Sequence, residues 1–149
     1  TDKSIIRDLA ALIRPYPCRI QEPRTPQQEM FKIAYPRQRS MVEESACVIL
    51  PYFKQKYAFD NPKNDYGLMD YGAAWALVEN LLLAATAEGL GSVVHIPVKK
   101  EPEQIKTFMK IPDGYYLPAL VILGYPAKDA LLPAQVKATV ENRVHWNKW

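Results

Sequence analysis

One stretch governs what this chain can fold into, the thirty residues from Gly67 to Ile96. Strong helix formers dominate between Asp70 and Glu88, and the run predicts a helix of roughly 28 Å. Its polar residues are few (Asp70, Glu79, Asn80, Thr86, Glu88), while Ala, Leu, Val, Tyr71 and Trp75 fall at nearly every angular position. A helix apolar all round requires cover on more than one side, from its own domain or from a partner. Asp70, Glu79 and Asn80 interrupt the apolar run well short of the ~20 residues of a membrane span, which argues against transmembrane insertion. Gly89 is placed to supply a left-handed cap, and Gly91-Ser92 turns the chain into the β-branched strand Val93-Val94-His95-Ile96.

The remaining composition narrows the class. With 149 residues the chain is expected to form one domain, 1–149, with a sizeable core. A net charge of +3 gives no case for nucleic acid as the main partner, while a phosphate-bearing small molecule is compatible with it. Cys18 and Cys47 have no metal-ligand spacing, so neither a disulfide framework nor a metal site is expected. Cysteine catalysis is a poor reading too, because Cys47 lies in an apolar strand and Cys18 lacks a recognisable partner. The chain shown begins with no signal-peptide pattern, and the expectation is the cytoplasm and no membrane association.

Along the chain, Thr1 or Asp2 caps a helix that Ile5, Ile6, Leu9, Leu12 and Ile13 carry to about Arg14. Pro15, Pro17, Pro23 and Pro26 make an irregular connection. Gln27 to Ala34 reads as a short helix ended by Tyr35-Pro36, and the basic residues Lys32, Arg37 and Arg39 as a solvated loop rather than an anion site. Ala46 to Pro51 is a buried strand, followed by an aromatic-rich loop from Tyr52 to Tyr66 that serves either as a substrate lid or as a dimer contact. Beyond Pro97, a helix places Ile105, Phe108 and Met109 on one face, Ile111 to Gly114 turns, and Leu117 to Gly124 forms another buried strand. The tail ends His145-Trp146-Asn147-Lys148-Trp149, and its tryptophans are expected to dock on their own domain or on a neighbour.

The order of these parts is informative: Asp-x-Gly-Ala opening a long apolar helix, Gly-Leu-Gly-Ser after it, a short strand, an amphipathic helix, Ile-Pro-Asp-Gly, a strand ending Gly-Tyr-Pro-Ala, and the His-Trp-Asn-Lys-Trp tail. From about Ala46 to Trp149 the chain resembles the FMN-dependent nitroreductase family. The resemblance implies an α+β fold, a central sheet flanked by helices, with the long helix buried at a homodimer interface and FMN at each of two subunit boundaries. It places the strand beside the isoalloxazine ring on Val94, His95, Ile96 and Pro97, contacting it through backbone groups, and the FMN phosphate on Lys137. Lysine supplies the charge without a bidentate fork, and Ala138 stands where a second basic residue is usual. His95 has a rival role as a hydrogen-bonded structural residue, and no side chain is assigned as catalytic.

The resemblance also exposes a difference at the front. The family usually begins with an Arg-Arg-Ser-like phosphate motif, a Pro-Ser-x-x-Asn loop and a first strand leading into the helix matched here by Ser4 to Arg14. Arg37-Gln38-Arg39-Ser40 lies on the wrong side of that helix to replace the motif. The expectation is a truncated piece or a variant that covers the gap another way, with flavin binding weakened or absent without that segment. The leading reading is an FMN oxidoreductase carrying hydride from NAD(P)H to a small-molecule acceptor such as a nitroaromatic or quinone by a ping-pong cycle. Tyr57 and Phe59 are its candidate acceptor-facing wall. The rival is a non-catalytic dimerisation or binding module on the same scaffold.

Overall fold

A computed structural model describes residues 1–55, 65–130, 139–141 and 143–148. The first helix, α1 (Lys3–Ala11), starts where the Asp2 carboxylate accepts the backbone N–H groups of Ser4 at 2.8 Å and Ile5 at 3.3 Å, so Asp2 rather than Thr1 is its cap. It ends before the expected Arg14. Pro15 disfavours helical geometry at the residue before it, and Leu12 and Ile13 close with short-range turn bonds instead. Thr25 caps α2 (Pro26–Ala34), which carries a proline in its first turn. The basic stretch expected as a loop is a third helix, α3 (Gln38–Glu44), whose Val42 is fully buried.

Strands β1 (Cys47–Ile49) and β2 (Phe53–Lys54) precede the long helix α4 (Tyr66–Ala87). Gly89 adopts φ 71°, and the N–H groups of Gly89 and Leu90 close on the carbonyls of Thr86 and Ala85, so the glycine cap forms as expected. Strand β3 (Gly91–His95), helix α5 (Glu101–Phe108), and strands β4 (Tyr115–Tyr116) and β5 (Leu120–Gly124) complete the described elements. The last strand is shorter than the apolar run from Leu117, because Pro118 has no N–H for a ladder.

The main sheet has the order β1-β5-β3, antiparallel throughout, with β2 and β4 paired separately. Its central strand sends Leu120 and Ile122 into a core shared with Ile6, Leu9 and Ile13 of the first helical segment, Val42 and Ile105. By alternation Val121 faces the other side, where α4 packs on β3 and β5. The chain is thus α+β, with helices on both faces of a small sheet.

Helix α4 buries Gly67, Ala74, Val78 and Ala85, one narrow stripe of small residues that lets sheet and helix approach closely. Its opposite face is uncovered within the chain: Met69 is 65% exposed, Leu77 49% and Leu83 59%. Trp146 is 84% exposed, so it does not dock on the described part of its own chain; Trp149 lies outside the described residues. Among the described residues no helix is long and apolar enough to cross a membrane.

Ile105 is fully buried in the core, whereas Ile33 of α2 is 59% exposed. Chemical denaturation is expected to show a loss of about 2–5 kcal/mol for Ile105→Ala, and a change within about 0.5 kcal/mol for Ile33→Ala.

Candidate functional site

Strand β3 ends at His95, and the residues after it divide between a buried cluster and an open cleft. Ile96 and Pro97 border a cleft of about 230 Å³ whose walls include Tyr52, Tyr71, Lys106 and Tyr116. The Tyr52 hydroxyl is buried and has no hydrogen-bond partner among the described residues. Burial, reinforced by the charge of Glu103, pushes its pKa up to about 12, so it stays a protonated donor without an acceptor. Lys106 is held by Asp113 at 2.8 Å. Just beyond, Lys99 takes the left-handed conformation at φ 58°, which turns the backbone sharply into α5.

The His95 side chain points away from that cleft. Its ring is 1% exposed, with Nδ1 2.8 Å from the Gln38 Oε1 atom, Nε2 3.2 Å from Glu101 Oε2, and Tyr16 against its edge. Glu101, 2% exposed, is the centre of the cluster. Its carboxylate accepts the backbone N–H groups of Arg14 and Val98, both at 3.0 Å, and the Tyr16 hydroxyl at 2.9 Å. One carboxylate therefore ties the end of the first helical segment to the turn that follows β3 and to the start of α5.

The charges follow from this packing. Burial drives the His95 pKa below its ordinary value, with Glu101 opposing. Burial works to raise that of Glu101, but the Val98 and Arg14 amides, the Tyr16 hydroxyl and His95 outweigh it and hold the carboxyl below its ordinary range. Burial and the neighbouring carboxylate push Tyr16 up to about 12.

Of the residues expected at a cofactor site, Ile96 and Pro97 reach the cleft. Val94 pairs with Val121 across the sheet and faces the α4 side, and the His95 side chain is committed to the buried cluster. Only backbone groups of that strand remain for a cofactor. Lys137, Tyr57 and Phe59 lie outside the described residues. Sequence reasoning named Tyr52 only as the start of an aromatic-rich loop, and missed Tyr16, Gln38 and Glu101. The one available signal was Glu101-Pro102 at a helix start, which marks a first turn without showing that its carboxylate turns inward.

Solved structures share this architecture. An iodotyrosine deiodinase bound to FMN and 3-iodo-L-tyrosine superposes with a TM-score of 0.69 at 17% identity, covering 99% of this chain and 73% of that one. An NADPH:FMN oxidoreductase from Vibrio harveyi complexed with NAD+ gives 0.60 at 20% identity, covering 100% and 69%. A putative NADH dehydrogenase/NAD(P)H nitroreductase from Bacteroides thetaiotaomicron gives 0.62 at 21%, covering 99% and 68%. At these identities the likeness defines the fold class, nitroreductase-like α+β.

Residues 4–125 match the Nitroreductase family, and the chain belongs to that family. The match begins well ahead of Ala46, so the likeness takes in the first helices, and it stops at Tyr125, before Lys137. A NADH dehydrogenase of Thermus thermophilus is 40% identical over 58 residues, 39% of this chain and only 27% of that relative's length.

Folded Glu101 and His95 both bind protons less readily than their ordinary values of 4.5 and 6.5. The unfolded chain therefore takes up more protons as pH falls, and the network's stabilisation weakens below about pH 6.5 through His95 and further below about 4.5 through Glu101. Glu101→Gln is expected to remove the more acidic limb and to cost about 2 kcal/mol at neutral pH, as measured by denaturation across pH.

Proposed function

We propose that this chain is the core of an FMN-dependent oxidoreductase of the nitroreductase type, acting as a homodimer on NAD(P)H and a small-molecule acceptor. The observation that carries this reading is the family match over residues 4–125. The FMN in the iodotyrosine deiodinase and the NADPH:FMN oxidoreductase supports the choice of cofactor.

The residues present suit such a group. The cleft at Ile96 and Pro97 is walled by flat aromatic and proline surfaces, and one of its lining residues, Tyr52, carries a buried hydroxyl with no hydrogen-bond partner among the described residues. At about 230 Å³ it is small beside the roughly 300–1,000 Å³ of ordinary small-molecule sites, which fits a half-site completed by a second copy. Tyr71 in its wall belongs to α4, on the side of the helix turned toward its own chain. On α4, Met69, Ala73, Ala76, Leu77, Leu83 and Ala84 are all exposed and fall within an arc of roughly 120° at 100° per residue. An apolar stripe of that length is the dimer surface in this reading.

FMN held there would supply hydride-transfer chemistry between NAD(P)H and a nitroaromatic, quinone or similar acceptor. The chain's part is to orient and to exclude water. Backbone groups from Val94 to Pro97 line the strand end, Glu101 and His95 hold that backbone in place from behind, and Lys137 serves the phosphate as a point charge.

FMN titration tests this directly: the reading predicts saturable quenching of flavin fluorescence and a yellow purified protein. A colourless protein that binds no FMN supports the non-catalytic module instead. Lys137→Gln is expected to weaken FMN binding roughly 10-fold or more while leaving riboflavin, which lacks the phosphate, unaffected. Leu77→Glu is expected to yield a monomer by sedimentation and to lose FMN binding with it. A monomeric Leu77→Glu that binds FMN normally contradicts a site shared between copies.

A further inference from the structure

A second cavity lies on the far side of the Glu101 cluster. The segment after α1 and the outer part of α2 enclose about 400 Å³, with Arg14, Tyr16, Arg19, Ile20, Phe31 and Tyr35 in its lining, and it shares no lining residue with the cleft at Pro97. That volume lies within the ordinary range for small-molecule sites. Its two ends differ in chemistry. Phe31 and Tyr35 stand one turn apart with ring centroids 5.5 Å from each other, and both keep more than a third of their surface uncovered, 38% and 40%. They offer an aromatic wall that nothing in the described chain covers.

The other end is cationic. The Arg14 guanidinium lies over the Tyr16 ring at 4.2 Å, which fixes its plane, and its Nε is buried without a hydrogen-bond acceptor. The nearest carboxylate, Glu101, is 4.0 Å from that nitrogen, beyond hydrogen-bond reach. It is already engaged by two backbone N–H groups, Tyr16 and His95, and at 3% side-chain exposure it sits behind the arginine rather than in the cavity. Among the described residues no acidic side chain lines the cavity, and Arg19 adds a second guanidinium. Planar guanidinium forks pair with carboxylates, and aromatic walls accept flat rings.

We propose that this cavity is a binding site for a small planar aromatic carboxylate, its ring against Phe31 and Tyr35 and its carboxylate on Arg14 and Arg19. The site is independent of flavin binding and does not rest on it.

Calorimetric titration of the full chain with benzoate, with benzamide as the uncharged counterpart, tests the assignment. The expected result is saturable one-to-one benzoate binding with a Kd of roughly 0.1–1 mM, benzamide binding at least about tenfold weaker. Arg19→Gln, at an exposed position, is expected to weaken benzoate about tenfold and to leave the circular dichroism unchanged, and Phe31→Ala to weaken benzoate and benzamide alike. Benzoate affinity is expected to be the same with and without added FMN. The proposal is overturned by the absence of saturable binding, by equal affinity for benzamide, by indifference to both substitutions, or by loss of benzoate binding when FMN is added.

Discussion

Packing of α4 on the sheet is the contact on which the remaining structure depends. Gly67, Ala74, Val78 and Ala85 form the buried stripe, and only residues this small allow the helix axis close to β3 and β5. The chemistry of the helix does not end there, because larger apolar side chains, Met69, Leu77 and Leu83, remain on the opposite face. A chain that leaves so continuous an apolar surface in water loses the stabilisation that burial would give it, about 25 cal/mol for each Å². In the proposed dimer a second copy of the same helix covers that surface.

A second constraint acts at right angles to the first. Glu101 is an ionised group taken out of water, a costly arrangement unless each lone pair finds a donor. Here donors converge from three places: the amide of Arg14 and hydroxyl of Tyr16 after α1, the amide of Val98 after β3, and the His95 ring. The carboxylate thereby fixes the strand end and the turn containing Lys99, the backbone that borders the cleft. The cleft and the arginine-lined cavity share no lining residue, so each keeps its own walls.

Much of this was legible in the sequence where one residue type had a single physical use. Gly89 could only be a left-handed cap, Asp2 suited an N-terminus, and Ile105 marked the inward face of its helix. The helix α3 was not legible, because Pro36 and the flanking arginines read as loop and a single buried residue, Val42, gives no periodicity. The two-residue strands β2 and β4 are too short to carry an alternation. Glu101 was hidden for a different reason. An acidic residue in a first helical turn ordinarily complements the helix dipole from the surface, and nothing local distinguishes it from Glu103, which stays exposed. For the site, Ile96 and Pro97 came from the family resemblance rather than from any local pattern, and the burial of the Tyr52 hydroxyl depends on long-range packing that no local pattern encodes.

In the proposed dimer two copies of α4 meet and complete a flavin-sized slot that one chain only half forms. Native mass spectrometry of the chain with added FMN measures both halves of that claim in one spectrum. The expected spectrum is dominated by a species of two chains carrying two FMN molecules, with no single chain retaining flavin; single chains that each hold FMN, or dimers that hold none, overturn the shared slot.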